Sequence, residues 1–255
     1  MLRTARRLTQ ALAHGPLVRA DLRWPSVAGA DLLERSALET VSHGKHLLTR
    51  LDDGRTLHTH LRMEGTWQVR RTQQPPQPWR QHTVRVVLAT ARWTCAGISL
   101  GMVDLVPTSR EHTLIGHLGP DLMADDVDVA TAAANLRAQG DRPVGEALLD
   151  QRVAAGIGTI YTSETLWLLR LNPWQPAREI ADPEEVIATA ARIMRRSADA
   201  PSITATGDPR PGRDANAYGR EHQPCRRCGS AIRQGRLGTP PTDRVTYWCA
   251  TCQER

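Results

Sequence analysis

The sequence predicts an α+β protein in which a β-rich domain, a helical module and a cysteine-bearing tail follow one another. Short apolar runs separated by turn signals fill residues 1–120. Helical periodicity and capping residues characterise residues 121–197. Residues 198–255 combine a linker rich in Gly, Pro, Asp and Arg with two Cys-x2-Cys pairs. A chain of 255 residues can bury a substantial core, which excludes a small disulfide scaffold.

The N-terminal residues predict a helix followed by strands. Leu2, Ala5, Leu8 and Leu12 recur at helical spacing, and Gly15 supplies a stop. The strand pattern that follows has four parts: apolar runs over 41–69 around an Asp53-Gly54 turn, alternation over 84–88, an apolar run over 98–105, and an exposed Pro-rich loop over 73–78.

Four helices are predicted in the module that follows. The last opens with Asp182-Pro183-Glu184-Glu185, which supplies an N-cap, a proline at the first helical position and a capping carboxylate. Pro143 stands at a first-turn position, and Asn172-Pro173 is a stop signal. The predicted helices are 127–138, 143–153, 159–171 and 182–196.

Composition favours a soluble protein and is compatible with an anionic partner. The formal net charge is +6, the isoelectric point is about 9.5 and the mean hydropathy is −0.43. No apolar run approaches the roughly 18 to 20 residues of a membrane span, and the opening residues lack the apolar core of a signal peptide. We therefore expect a cytoplasmic protein with no membrane partner.

The strongest motif is a set of four cysteines, Cys225, Cys228, Cys249 and Cys252. Two Cys-x2-Cys pairs separated by a hairpin-length span suit tetrahedral zinc, and four thiolate ligands leave no open coordination site. We therefore predict one structural Zn²⁺ per chain, the alternative being a pair of disulfides. The arginine-rich hairpin between the pairs is typical of nucleic-acid binding, although a zinc ribbon can also bind protein.

Two further signals are weaker. Gly156-Ile157-Gly158-Thr159 precedes a predicted helix, where free N–H groups favour a phosphate, although such glycines also make ordinary helix–helix turns. Lys45 is the single lysine of the chain, and it is either an amine placed for proton transfer and phosphate contact or a solvated turn residue.

Taken together, these motifs resemble those of the formamidopyrimidine-DNA glycosylase and endonuclease VIII family of bifunctional DNA glycosylase/AP lyases, with the endonuclease VIII-like branch favoured. The resemblance covers nearly the whole chain. In order, the motifs are Ser42-His43-Gly44-Lys45-His46-Leu47-Leu48, His60-Leu61-Arg62-Met63, Leu118-Gly119-Pro120-Asp121, Leu148-Leu149-Asp150-Gln151 with Gly156-Ile157-Gly158 and Glu164, Tyr218-Gly219-Arg220, and Arg244-x-Thr246-x-Trp248-Cys249-x2-Cys252-Gln253.

The resemblance implies an N-terminal β-sandwich over 1–120, a helix-two-turns-helix DNA-binding domain over 121–197, and a zinc hairpin within 198–255. It implies that damaged double-stranded DNA binds between the two domains, and that the protein works as a monomer, associated with the nucleoid when acting on DNA. The expected activity is excision of an oxidised base, pyrimidines favoured, followed by strand cleavage through β,δ-elimination in base excision repair.

The resemblance also assigns residues. By this resemblance, Lys45 contacts phosphate and transfers protons. Arg244 contacts the phosphate beside the lesion and assists δ-elimination. Met63 corresponds to the wedge that fills the gap left by the flipped nucleotide, with Arg62 beside it, although a methionine here is otherwise a core residue. His117 and Thr159 stand where the family has phosphate-contacting Arg and Asn. The fifth DNA-binding position is Glu164, a carboxylate expected to orient its neighbours.

The family's N-terminal proline nucleophile and the glutamate after it are not found at the start of this sequence, which reads Met1-Leu2-Arg3. We expect that translation starts further upstream than Met1. The alternative is a catalytically silent protein that binds DNA lesions. A zinc-ribbon interaction module on an unrelated β-rich domain is a further alternative, which strong salt-dependent DNA affinity would exclude.

Overall fold

The computed structural model describes residues 1–62, 64–73 and 82–254, and the chain divides into two units, residues 1–117 and 118–255. The predicted further division of the second unit near residue 197 stays a prediction. No helix among the described residues is long and apolar enough to cross a membrane.

Within its described residues, the first unit contains two four-stranded antiparallel sheets and two α-helices. Its elements are α1 (Leu2–Leu12), β1 (Arg19–Leu22), β2 (Ala37–His43), β3 (His46–Leu51), β4 (Arg55–His60), β5 (Thr66–Arg71), β6 (Val84–Ala89), β7 (Trp93–Ile98), β8 (Met102–Pro107) and α2 (His112–Ile115). One sheet has the order β1-β6-β7-β5 and the other the order β2-β3-β4-β8.

The two sheets share one apolar core with α1, as the predicted sandwich requires. Leu8 and Leu12 of α1 belong to the same buried cluster as Leu57 of one sheet and Val86 of the other. The predicted first helix is confirmed, because Ala5, Leu8 and Leu12 face this core, Leu2 is half-buried and the helix ends before Gly15.

Two strand predictions need correction. The run over 98–105 is not one strand, because Ser99 adopts a left-handed conformation (φ 50°) and the chain turns between β7 and β8. The alternation over 84–88 is incomplete, because Val87 is buried as well, against Ala96 on the other face of the sheet. The predicted Pro-rich loop lies, from residue 74 on, outside the described residues.

The second unit contains four helices and a two-stranded hairpin. Its elements are α3 (Val129–Arg137), α4 (Val144–Leu149), α5 (Thr159–Leu169), α6 (Pro183–Asp199), β9 (Ile232–Leu237) and β10 (Arg244–Cys249). The helices enclose a second apolar core, and β10 packs on α5.

The helix boundaries follow local backbone geometry more closely than the sequence pattern. The Asp182 cap is confirmed, since its carboxylate accepts from the Glu185 N–H at 2.9 Å. The helix predicted to reach Val153 ends at Leu149, where the chain becomes extended. The helix predicted to reach Leu171 ends at Leu169, because the next residue is a left-handed C-cap.

Candidate functional site

The four predicted metal ligands meet at the base of the β9–β10 hairpin. Their Sγ atoms lie within 4.8 Å of one another, with 4.0 Å between Cys225 and Cys252 and 3.5 Å between Cys228 and Cys249. A disulfide holds two sulfurs at about 2.0 Å, whereas thiolates around one tetrahedral ion, with bonds of about 2.3 Å, lie about 3.8 Å apart. The cluster can therefore hold a metal ion, and the alternative of two disulfides is wrong.

The thiol environments differ within this cluster. A hydrogen bond with the Ser230 side chain is the main cause that lowers the pKa of Cys228 to about 6. Burial raises the pKa of Cys252 to about 12. A cation that binds all four sulfurs displaces the protons from such thiols, so metal binding and deprotonation are coupled.

The cluster of four cysteines is attached to the C-terminal end of α5. Gln253 is fully buried; its Oε1 accepts from the Cys249 N–H at 2.9 Å, and its Nε2 donates to the Leu171 carbonyl at 2.8 Å. The Arg227 guanidinium lies 3.8 Å from the centre of the Trp167 ring and donates to the Trp167 carbonyl. Any change in the arrangement of the four cysteines would therefore disturb α5 as well as the hairpin.

In the first unit, three loops emerge at one edge of the β2-β3-β4-β8 sheet. Lys45 lies in the β2–β3 turn, residues 61–65 follow β4, and residues 99–101 precede β8. The strand ends at this edge are cross-strand partners, so the loops are neighbours. Lys45 is half-buried and Arg62 is exposed. The two residues are thus brought to the same edge.

Arg62 is held in an unusual backbone conformation. Its φ is 51°, and its N–H donates to Nδ1 of His60 at 3.0 Å. The Gly101 N–H donates to the His60 carbonyl at 2.9 Å, and a Cβ at Gly101 would lie only 2.5 Å from Cγ and Cδ of Arg62. Gly101 therefore makes room for the Arg62 side chain. Met63, the predicted wedge, lies outside the described residues.

A chain of hydrogen-bonded side chains lies behind these loops. Asp104 Oδ2 is 2.9 Å from His58 Nδ1, and His58 Nε2 is 2.8 Å from His46 Nδ1. The His46 and His60 rings meet edge to face with their centres 4.6 Å apart. His58 is completely buried, and His46 is 8% exposed.

The environment strongly disfavours charge on two of these imidazoles. Burial, followed by repulsion from His60 and other histidines, lowers the pKa of His46 to about 3. Burial, followed by repulsion from His58, Lys45 and Arg62, lowers the pKa of His60 to about 4. Both rings are therefore neutral at physiological pH.

Sequence reasoning did not identify His58 or Asp104. The two residues are 46 positions apart and become partners only through the register of β4 and β8. The available signal was the repeat of His58 and His60 at two-residue spacing, which places both rings on one face of a strand. His117, a predicted phosphate contact, is exposed, and its charge contributes to the low pKa of His46.

In the second unit, Gln151 organises the glycine-containing turn before α5. Its Oε1 accepts from the Gly156 N–H and its Nε2 donates to the Ile157 carbonyl, both at 3.0 Å. Gly156 has a φ of 106°, and Gly158 is the N-cap. Thr159 is the first residue of α5, so the N–H groups of the first helical turn lie beside it.

Glu164 is fully buried, and its carboxylate binds a neighbouring loop. Oε1 accepts from the N–H groups of Asn216, Ala217 and Tyr218 at 2.7 to 2.9 Å. Oε2 accepts from the Asn216 side-chain amide at 3.0 Å. Because none of the side chain is exposed, Glu164 can orient this loop but cannot touch a ligand on the surface in this arrangement.

Arg244 begins β10 and is exposed at the hairpin tip. Its Nη1 donates to the carbonyls of Thr242 at 2.7 Å and Asp243 at 3.0 Å. The Asp243 carboxylate is paired with Arg236. Lys45, Arg62 and His117 belong to the first unit, whereas Thr159, Glu164, Arg244 and the four cysteines belong to the second.

Comparison with known proteins places this fold and these motifs in one class. The family model described as the formamidopyrimidine-DNA glycosylase N-terminal domain matches residues 3–105, and the model described as the H2TH domain of that enzyme matches residues 118–206. The chain belongs to the formamidopyrimidine-DNA glycosylase and endonuclease VIII family.

Relatives and a solved structure support this assignment. The chain is 44% identical to a probable endonuclease 8 2 of Streptomyces coelicolor, with 98% of this chain and 90% of that protein covered. It is 39% identical to the DNA-(apurinic or apyrimidinic site) lyase Nei2 of Mycolicibacterium smegmatis, with 98% and 95% covered. The Lactococcus lactis Fpg (MutM), solved with Fapy-dG-containing DNA, has the same fold: TM-score 0.83 at 20% identity, with 99% of this chain and 98% of that chain covered.

Proposed function

We propose that this protein is a DNA glycosylase/AP lyase of base excision repair that removes oxidised bases, preferentially pyrimidines, from double-stranded DNA. The observation that carries the proposal is the near-full-length similarity to relatives named as endonuclease 8 and AP lyase. Those names favour a catalytic protein over a silent lesion-binding protein. The basic composition suits a polyanionic partner.

The binding residues act on the DNA backbone and on the gap in the base stack. Arg62 lies beside the lesion, and Met63 fills the space left by the flipped nucleotide. His117 and Thr159 contact phosphates, the latter with the N–H groups at the start of α5. Glu164 contributes indirectly by ordering the loop that contains Tyr218. The protein binds as a monomer.

The chemistry needs a neutral amine. The amine attacks C1′ of the sugar as the C1′–N bond to the base breaks, and the base leaves with a proton. The C1′–O4′ bond then opens while O4′ takes up a proton, and the resulting Schiff base acidifies C2′. Loss of the C2′ proton breaks the C3′–O bond, and a second elimination breaks the C5′–O bond. An N-terminal amine, with a reference pKa of about 7.7 to 8.0, is partly neutral at physiological pH, unlike a lysine near 10.4. Lys45 contacts phosphate and transfers protons, and Arg244 binds the phosphate that leaves in δ-elimination.

The cysteine cluster binds one structural Zn²⁺. Cys225, Cys228, Cys249 and Cys252 fill all four positions of a tetrahedral ion, so the metal has no position for substrate. Its contribution is to hold the β9–β10 hairpin, and with it Arg244, in a fixed shape.

Borohydride trapping tests the function directly. The native protein is incubated with a duplex that contains an oxidised pyrimidine or an abasic site, and the reduced adduct is digested and mapped by mass spectrometry. Lys45 is the single lysine among the residues of this sequence, so the digest distinguishes an adduct on Lys45 Nζ from an adduct on the N-terminal peptide. We expect cleaved DNA and an adduct on the N-terminal peptide. Binding without cleavage or adduct would refute the enzymatic function, and faster excision of an oxidised purine would refute the pyrimidine preference.

A further inference from the structure

The Asp104–His58–His46 chain has a defined direction of hydrogen bonding. A carboxylate only accepts, so the proton between Asp104 and His58 belongs to His58 Nδ1. When His58 carries this single ring proton, its Nε2 is unprotonated and accepts from His46 Nδ1–H over 2.8 Å. One acidic residue therefore determines the tautomers of two successive rings.

The tautomer of His60 is fixed by the backbone of Arg62. Its Nδ1 accepts the Arg62 backbone N–H, so a neutral His60 carries its proton on Nε2. A proton added at Nδ1 would place two donors against each other and release the backbone of Arg62. The position of Arg62 thus depends on His60 staying neutral.

The charged side chains at this sheet edge also favour a neutral His60. The cations of Lys45 and Arg62 both disfavour a protonated His60, and by reciprocity a protonated His60 would repel both cations. The neutral rings of His46 and His60 pack against each other between the two loops that carry those cations. The cations of Lys45 and Arg62 therefore lie at one edge of the sheet without an additional positive charge on the neighbouring imidazoles.

We propose that Asp104, His58 and His46 are positioning residues: Asp104 and His58 hold the imidazole of His46 in a single tautomer, the His46 ring packs against His60, and the chain thereby places Lys45 and Arg62 for lesion cleavage. The inference rests on the proposed function. None of the three residues needs to touch DNA, because they act through the strand ends that carry the loops.

The test variant is Asp104→Asn, which keeps the side-chain size and removes the obligatory acceptor. The matched control is Asp21→Asn on β1, in the other sheet, because the two carboxylates are similarly exposed (32% for Asp21, 34% for Asp104) and Asp21 is paired with Arg23. Near-ultraviolet circular dichroism checks that each variant is folded.

Histidine tautomers are measured first, by long-range proton–nitrogen NMR on isotope-labelled protein without DNA. The wild type and Asp21→Asn are expected to show Nδ1–H for His46 and His58 and Nε2–H for His60. Asp104→Asn is expected to show a changed or averaged pattern for His58 and His46. An Nε2–H tautomer for His46 in the wild type would overturn the proposal even if no variant folds.

Single-turnover cleavage of an abasic-site duplex is measured next. Asp104→Asn is expected to slow cleavage by about tenfold to a hundredfold, since small displacements of catalytic groups have effects of that size. Duplex affinity should change little, because it is dominated by many phosphate contacts. A purely structural role of Asp104 would lower stability but leave the tautomers and the rate of the folded protein unchanged.

The outcomes separate the two proposals. If the wild type cleaves and Asp104→Asn cleaves equally fast, the positioning role is refuted and the enzymatic function stands. If the wild type neither cleaves nor forms a trapped adduct, the enzymatic function fails and the positioning role fails with it, whatever the tautomers are.

Discussion

Replacing Glu164 by Gln is expected to destabilise the second unit by about 2 to 4 kcal/mol. The carboxylate accepts from three backbone N–H groups and one side-chain amide, and Gln replaces one of its oxygens by a donor. Each hydrogen bond to a charged group contributes about 1.5 to 3 kcal/mol, and relief from burying the charge offsets part of the loss. The loop that contains Tyr218 should lose its order, so lesion cleavage should fall as well.

Urea unfolding followed by tryptophan fluorescence measures this effect. Glu146→Gln is the control, because Glu146 is a partly exposed residue of α4 (29%) in an ion pair with Arg142. Removal of such a pair costs at most about 1 kcal/mol. Glu164→Ala should destabilise the protein more than Glu164→Gln, because it removes the acceptor of three backbone N–H groups, of which that of Ala217 is buried. If Glu164→Gln lowers the free energy of unfolding by no more than Glu146→Gln does, the reasoning is refuted.

Three other predictions concern the metal cluster and the sheet edge. Treatment with a chelator, or Cys228→Ser, should release or prevent binding of about one zinc per chain and lower the melting temperature; a colorimetric zinc assay that finds no metal in purified protein would contradict this. Both Arg62→Ala and Gly101→Ala should slow cleavage with little loss of stability, since the new Cβ at Gly101 displaces the Arg62 side chain; normal cleavage kinetics of Gly101→Ala would count against this. Because the folded pKa values of His46 (about 3) and His60 (about 4) lie below the unfolded value near 6.5, the unfolded state binds more protons between these limits. The urea concentration at the midpoint of unfolding should therefore fall as pH drops from about 6.5 towards 4. A midpoint that does not change with pH over this range would refute the prediction.

Local sequence patterns predicted the features that depend on neighbours in the chain. The Asp182 cap, the first helix and the cysteine pairs all follow from short-range spacing, and the structure contains each of them. The helix ends were less predictable, because the left-handed conformation of Arg170 has no glycine to signal it.

Long-range pairing could not be predicted in the same way. Glu164 binds a loop 52 to 54 residues away, and nothing in its helical context indicates that its carboxylate faces backbone N–H groups. The His58–Asp104 contact likewise depends on strand register, which the pattern of a single sequence does not specify. The resemblance of motifs identified the family, whereas the side-chain network behind Lys45 became visible only in three dimensions.

The attachment of the metal cluster to α5 has a consequence for biosynthesis. α5 is largely buried; α4 precedes it in the chain, but α6, β10 and Gln253, which also pack on it, leave the ribosome later. Domains generally fold in the order in which they are synthesised. The first unit can therefore fold before the elements that pack on α5 have been synthesised. Nascent chains arrested before Cys249 should be cut by protease within α5, and chains that expose Cys252 in the presence of zinc should resist. Metal capture would then be the event that ends the vulnerable period of the second unit.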